Sequence, residues 1–68
     1  MKQISGKDFC RVLERHEWTL RSRRGSHHVY RKDGNPNNLS VPVHGNKPLP
    51  VGLLRSLMKK AGLTVDDL

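Results

Sequence analysis

An α+β fold in the order helix, strand, strand, strand, helix is what this sequence predicts, and three observations predict it. Apolar residues recur at helical spacing near both ends of the chain. The middle switches to a period of two, which suits strands. Clusters of glycine, asparagine and proline fall between these runs, where the chain has to reverse. The 68 residues leave room for one domain, residues 1–68, whose core is too small to enclose a large pocket. Any chemistry is therefore expected on a surface or in a shallow groove.

The first helix starts at Ser5, which can cap it, with Asp8 as the acidic half of a capping-box-like pair. Phe9, Val12, Leu13 and His16 then follow the spacing of one helix face. Arg11, Glu14 and Arg15 take the solvated side. His16 reads as a helix-end residue interacting with the last carbonyls. Cys10 reads as a small buried side chain. As the only cysteine it cannot form an internal disulfide, so nothing points to an oxidising compartment.

From Trp18 onward the pattern alternates. Trp18, Leu20 and Ser22 interleave with Thr19, Arg21 and Arg23, which predicts a half-buried strand. Gly25-Ser26 punctuates, and residues 27–32 form a second strand. Residues 33–38 are dense in turn formers and read as one turn. The third strand, residues 39–44, puts Leu39, Val41 and Val43 on one face and Ser40, Pro42 and His44 on the other. Pro42 cannot donate to a ladder, which makes this an edge strand or an irregular one.

Residues 45–50 form a loop, with Pro50 suited to the first turn of the second helix. Leu54, Leu57, Met58 and Ala61 make its apolar stripe, with Leu53 beside it. Arg55, Lys59 and Lys60 lie outside, and the two lysines complement the helix dipole. Gly62 is a natural stop. Residues 62–68 remain as a C-terminal turn or tail that Thr64 and Asp67 can cap. Three antiparallel strands with one apolar face need cover, and both helices supply it on that face. The resulting α-β-β-β-α arrangement is the architecture of double-stranded-RNA-binding domains.

Charge points the same way. Thirteen lysines and arginines against six acidic residues give a formal charge of +7. On so short a chain this favours polyanionic partners through counterion release and steering. The start of the chain has no apolar signal segment, and no run is long enough to cross a bilayer. A cytoplasmic protein with no membrane partner is expected. The sequence has no phosphate-binding loop of the nucleotide-binding kind, no dinucleotide fingerprint and no paired acidic residues of a metal-dependent nuclease. No cofactor and no metal are expected. A zinc site from His27, His28 and His44 is disfavoured because adjacent strand histidines point to opposite faces.

What remains is the stretch Arg-Arg-Gly-Ser-His-His-Val-Tyr, residues 23–30. RNA carries its own nucleophile, the 2′-hydroxyl, beside the scissile phosphate. A ribonuclease then needs a group to move a proton and cations to hold the crowded phosphorane. Imidazole suits the first role and arginine the second. Arg23 and Arg24 can grip phosphate, Gly25 lets the backbone approach it, and Ser26 can donate a further hydrogen bond. If Tyr30 packs inward, His28 shares its side and His27 faces water. If Val29 packs inward, the roles reverse. Tyrosine's larger apolar body favours the first choice.

The ordered set of Gly-Ser-His (25–27), Val-Pro-Val-His (41–44) and the run Leu54–Leu63, after a helix ending near Trp18, resembles the HicA toxins (the YcfA-like family). These are small mRNA interferases of toxin–antitoxin pairs, and the likeness covers nearly the whole chain. It implies a dsRBD-like fold and metal-independent cleavage of mRNA that depends on one histidine, the one in Gly-Ser-His, which is His27. It also agrees with Tyr30 inward, leaving His28 and Tyr30 as support. The partner it implies is a HicB-type antitoxin, which would cover the active face, with DNA reached only through the antitoxin complex. Lys47 is a further candidate for phosphate contact. The competing expectation is a non-catalytic RNA-binding module of the same fold.

Overall fold

In the computed structural model, which describes residues 3–68, the elements are α1 (Gly6–Arg15), β1 (Thr19–Arg24), β2 (His27–Lys32), β3 (Asn35–Pro42) and α2 (Val51–Ala61). A 3₁₀ turn over Val65–Asp67 follows. The strands form one antiparallel sheet in the order β1-β2-β3, so β2 is central. The predicted helix, three strands, helix order is the one observed.

Capping explains where the helices start and stop. Ser5 Oγ accepts the Asp8 N–H at 3.1 Å, which ties down a free donor of the first turn. The Asp8 carboxylate meets Arg11 at 3.5 Å, so only half of the expected reciprocal box forms. The His16 side chain also differs from expectation. Its backbone N–H meets the last carbonyls, while its imidazole lies 3.8 Å from the carboxylate of Asp67. Asp67 completes the expected box with Thr64, whose N–H holds the carboxyl below its usual range.

Both helices end in the same motif. After α1, the Glu17 N–H reaches the Glu14 carbonyl at 3.2 Å and the Trp18 N–H reaches Leu13 at 2.9 Å. After α2, Gly62 reaches Lys59 at 3.3 Å and Leu63 reaches Met58 at 2.9 Å. Each is a Schellman closure with a left-handed residue, Gly62 at φ 71° and Glu17 at φ 72°. A side chain costs about 1–2 kcal/mol in that conformation, partly offset by the greater unfolded-state freedom of glycine. Glu17→Gly is therefore expected to stabilise the protein by roughly 0.5–1 kcal/mol, raising Tm by several degrees. Thermal unfolding by circular dichroism measures it, and an unchanged midpoint would mean that Glu17 contributes a compensating interaction.

One apolar cluster joins the layers. Phe9 and Leu13 of α1, Tyr30, Leu39 and Val41 of the sheet, and Leu54, Leu57 and Met58 of α2 meet there. The other sheet face is open. Trp18 is buried in the apolar cluster, and its indole N–H lacks a hydrogen-bond partner among the described residues, a cost of about 1–3 kcal/mol.

Two strands depart from expectation. β1 is exposed along its whole length rather than half-buried, with Leu20 at 36%. It is an edge strand, and a bulge at Arg21 interrupts its pairing with β2. β3 begins at Asn35 rather than 39 and ends at Pro42 rather than 44, so the turn shrinks to Asp33-Gly34. The asparagines that look like turn formers are recruited elsewhere. Asn35 and Asn37 both donate side-chain amide hydrogens to the Lys60 carbonyl, at 3.1 and 3.4 Å, stitching the strand to the end of α2. Pro36 is tolerated because β3 is also an edge and its register with β2 slips between Tyr30 and Lys32.

Candidate active site on the open face of the sheet

Tyr30 decides which histidine faces out. Its ring is 1% exposed, and its hydroxyl donates to Glu14 Oε2 at 2.7 Å. Burial first, then this bond, pushes the phenol well above its ordinary range, so it stays a donor. With Tyr30 pinned toward the helices, the two-residue period puts His28 on the same side and His27 with Val29 on the open face. The register agrees: His28 lies opposite buried Val41, and His27 opposite Pro42.

The bulge at Arg21 splits the two arginines. Uninterrupted alternation from Leu20 would put Arg23 away from the core side. Instead Arg23 pairs with His28, and Arg24 pairs with His27 across the ladder. Directly paired residues share a face, so Arg24 and His27 stand together on the open side. Arg23 and His28 line a groove of about 330 Å³ between α1 and β1, with Lys7 and Arg11 on its helical wall. The structure thus brings one arginine to His27 and the other around the sheet edge.

Around His27 the geometry is specific. Gly25 and Ser26 form the two-residue turn between Arg24 and His27, with Gly25 alone at positive φ, 55°. That is the pattern of a type II′ hairpin turn, which glycine opens. The Ser26 carbonyl accepts the Val43 N–H at 2.7 Å, and its hydroxyl lies 3.5 Å from His44 Nε2. His27 Nδ1 lies 3.3 Å from Ser40 Oγ on β3. One ring nitrogen is thereby occupied and Nε2 is left to face solvent. If Ser40 accepts from Nδ1–H, Nε2 carries the lone pair of a base; if Ser40 donates, Nε2–H is an acid.

Lys47 sits farther out. Its N–H donates to the His44 carbonyl at 3.1 Å, and the next residue, Pro48, pairs with Ser5. Among the described residues Lys47 joins the His27 cluster through the backbone alone. Nor do three His, Cys, Asp or Glu side chains among them converge as a metal ion would need. A hollow of about 670 Å³ lies along α1 near Ile4, Arg15 and Leu68, and neither Arg24, Ser26, His27, Ser40 nor His44 lines it.

Three residues of the site carried no clear signal in the sequence. Ser40 alternates onto the face opposite Leu39 and Val41, but nothing in the sequence ties it to His27. Lys7, in the first turn of α1, carries no motif of its own. Gly6 is buried at the first position of α1, and a methyl group there would run into the Pro42 carbonyl. It thereby fixes how closely α1 approaches the strand end that pairs with His27.

A family model for the HicA toxin of bacterial toxin–antitoxin systems matches residues 6–63. That span contains both helices, the whole sheet and every residue of the cluster around His27. Comparison with curated proteins found no match.

Proposed function

This chain belongs to the HicA toxin family, and from that premise we propose that it is a metal-independent endoribonuclease that cleaves mRNA with His27 as its catalytic histidine. The family implies a cognate antitoxin as partner. The observation that carries the reading is the pose of His27: exposed, held at Nδ1 by Ser40, and cross-strand from Arg24. An imidazole so held can take the proton of a 2′-hydroxyl as it attacks the adjacent phosphorus. Arg24, the cross-strand partner of His27, then supplies a cation for the phosphorane, and Gly25-Ser26 is the turn over which the backbone of RNA approaches. Arg23, with Lys7 and Arg11, would hold a flanking phosphate at the sheet edge. His28 and Tyr30 support β2 from the other side.

Attack by the 2′-hydroxyl dictates the products. Purified protein is expected to cut RNA in excess chelator and to leave 2′,3′-cyclic phosphate and 5′-hydroxyl ends, read by end-labelling and mass spectrometry. Loss of activity in chelator would reject the metal-independent mechanism. Salt-dependent binding with no cleavage would make the chain an RNA-binding module instead.

A further inference from the structure

Cleavage by a 2′-hydroxyl requires two proton transfers. One proton leaves O2′ as the O2′–P bond forms, and another reaches O5′ as the P–O5′ bond breaks. In an in-line displacement these oxygens lie on opposite sides of phosphorus. Two groups flanking the phosphate serve both ends, whereas one group serves them poorly.

The structure holds a second exposed imidazole, His44, bonded to the turn that precedes His27. Pro42, the last residue of β3, is the cross-strand partner of His27. The Val43 N–H donates to the Ser26 carbonyl at 2.7 Å, which folds the departing chain against the Gly25-Ser26 turn. His44 Nε2 consequently lies 3.5 Å from Ser26 Oγ. Ser26 directly precedes His27, and Pro42, two residues before His44, is the cross-strand partner of His27, so both exposed imidazoles belong to this end of the β2–β3 ladder. His44 is outside the regular strand and makes no ion pair with a carboxylate among the described residues.

We propose that His44 is a second catalytic residue, the general acid for the leaving group, which rests on the reading of His27 as the base. As the 2′-hydroxyl attacks, its proton passes to His27 Nε2 and an O2′ electron pair forms the new bond to phosphorus. The P–O5′ pair departs with O5′, which takes a proton from the His44 imidazolium. Ser26 Oγ accepts from Nε2–H of that imidazolium, holding the ring and leaving Nδ1–H to donate. The products are a 2′,3′-cyclic phosphate and a 5′-hydroxyl, with the two imidazoles having exchanged protonation states. Solvent restores them.

The test uses a leaving group that needs no acid. Wild type, His44→Ala and His27→Ala are assayed as full chains on one RNA oligonucleotide, and on the same oligonucleotide with sulfur replacing O5′ at the mapped cleavage site. A thiolate departs without protonation. His44→Ala is expected to be at least about 100-fold slower than wild type on the oxygen substrate, and close to wild type on the sulfur substrate. His27→Ala is expected to be slow on both. A His44→Ala rate equal to wild type on oxygen, or equally depressed on both substrates, overturns the proposal; the latter would mean that His44 only binds. If His27→Ala cleaves both substrates at the wild-type rate, the assignment of His27 falls, and the paired mechanism with it. Both rings are exposed, so circular dichroism of each variant should match wild type.

Discussion

Replacing His27 with alanine is expected to slow RNA cleavage by about 10²–10⁴-fold, the range lost when a positioned acid or base is removed. Folding should be nearly untouched. His27 is exposed, its side-chain hydrogen bond is to Ser40, and β2 is held in place by Tyr30 and Glu14 rather than by His27. Affinity for RNA should also survive, because the charge that attracts it resides in Arg23, Arg24, Lys7 and their neighbours. Single-turnover cleavage gives the rate, and fluorescence anisotropy of labelled RNA gives the affinity. A variant that loses affinity in proportion to rate would recast His27 as a binding group. One that cleaves at full rate would move the chemistry elsewhere. His28→Ala separates the two roles: that ring faces the α1–β1 groove and lies opposite Val41, so its loss is expected to act on RNA affinity there rather than on the single-turnover rate at saturating RNA.

The pose of His27 was open to a reading of the sequence as far as the alternation went. Residues 27–32 are bounded by Gly25-Ser26 and Asp33-Gly34, so the second strand could be placed to the residue. Its inward face came down to Tyr30 against Val29, which the larger apolar body decided correctly. The helices were legible for a similar reason: each has an apolar stripe, and a cap or stop signal marks its ends. What the sequence concealed was always a departure from a regular period. Nothing local marks Arg21 as the bulged residue, yet that one insertion moves Arg23 to the far side of the sheet edge. Residues 35–38 carry strong turn chemistry, yet they extend β3 through pairing with β2 and through the long-range bonds of Asn35 and Asn37 to the Lys60 carbonyl. The site itself was half legible. His27, Arg24 and Ser26 follow from one contiguous stretch, whereas Ser40 and His44 reach it through pairing between β2 and β3 and the hydrogen bond at Val43.

Gly6 is the residue on which that convergence depends most, and Gly6→Ala is expected to destabilise the protein by about 2–3 kcal/mol. Alanine is the better helix former by up to about 1 kcal/mol, so propensity alone predicts the opposite sign. Packing wins because a Cβ at this position would overlap the Pro42 carbonyl oxygen and crowd Pro42 C and Val43 Cα at 3.1 and 3.3 Å. Those obstacles are backbone, which cannot rotate aside as a side chain can. Gly52, in the first turn of α2, is the internal control: a Cβ there meets nothing within 4 Å. Gly52→Ala should therefore gain roughly 0.5–1 kcal/mol. For a chain of this length, total stability is roughly 3–10 kcal/mol, and each kcal/mol shifts Tm by about 4–8 °C. Thermal melts should thus separate the two substitutions by more than about 10 °C, in opposite directions. The loss is coupled to function, because Pro42 pairs with His27 and Val43 holds Ser26. At a temperature where Gly6→Ala is still folded, its cleavage rate should fall while that of Gly52→Ala does not. Equal stability of Gly6→Ala and wild type would mean that α1 can withdraw from Pro42 without cost. The close approach of helix and strand would then have no part in holding His27 and His44 about the Ser26 turn.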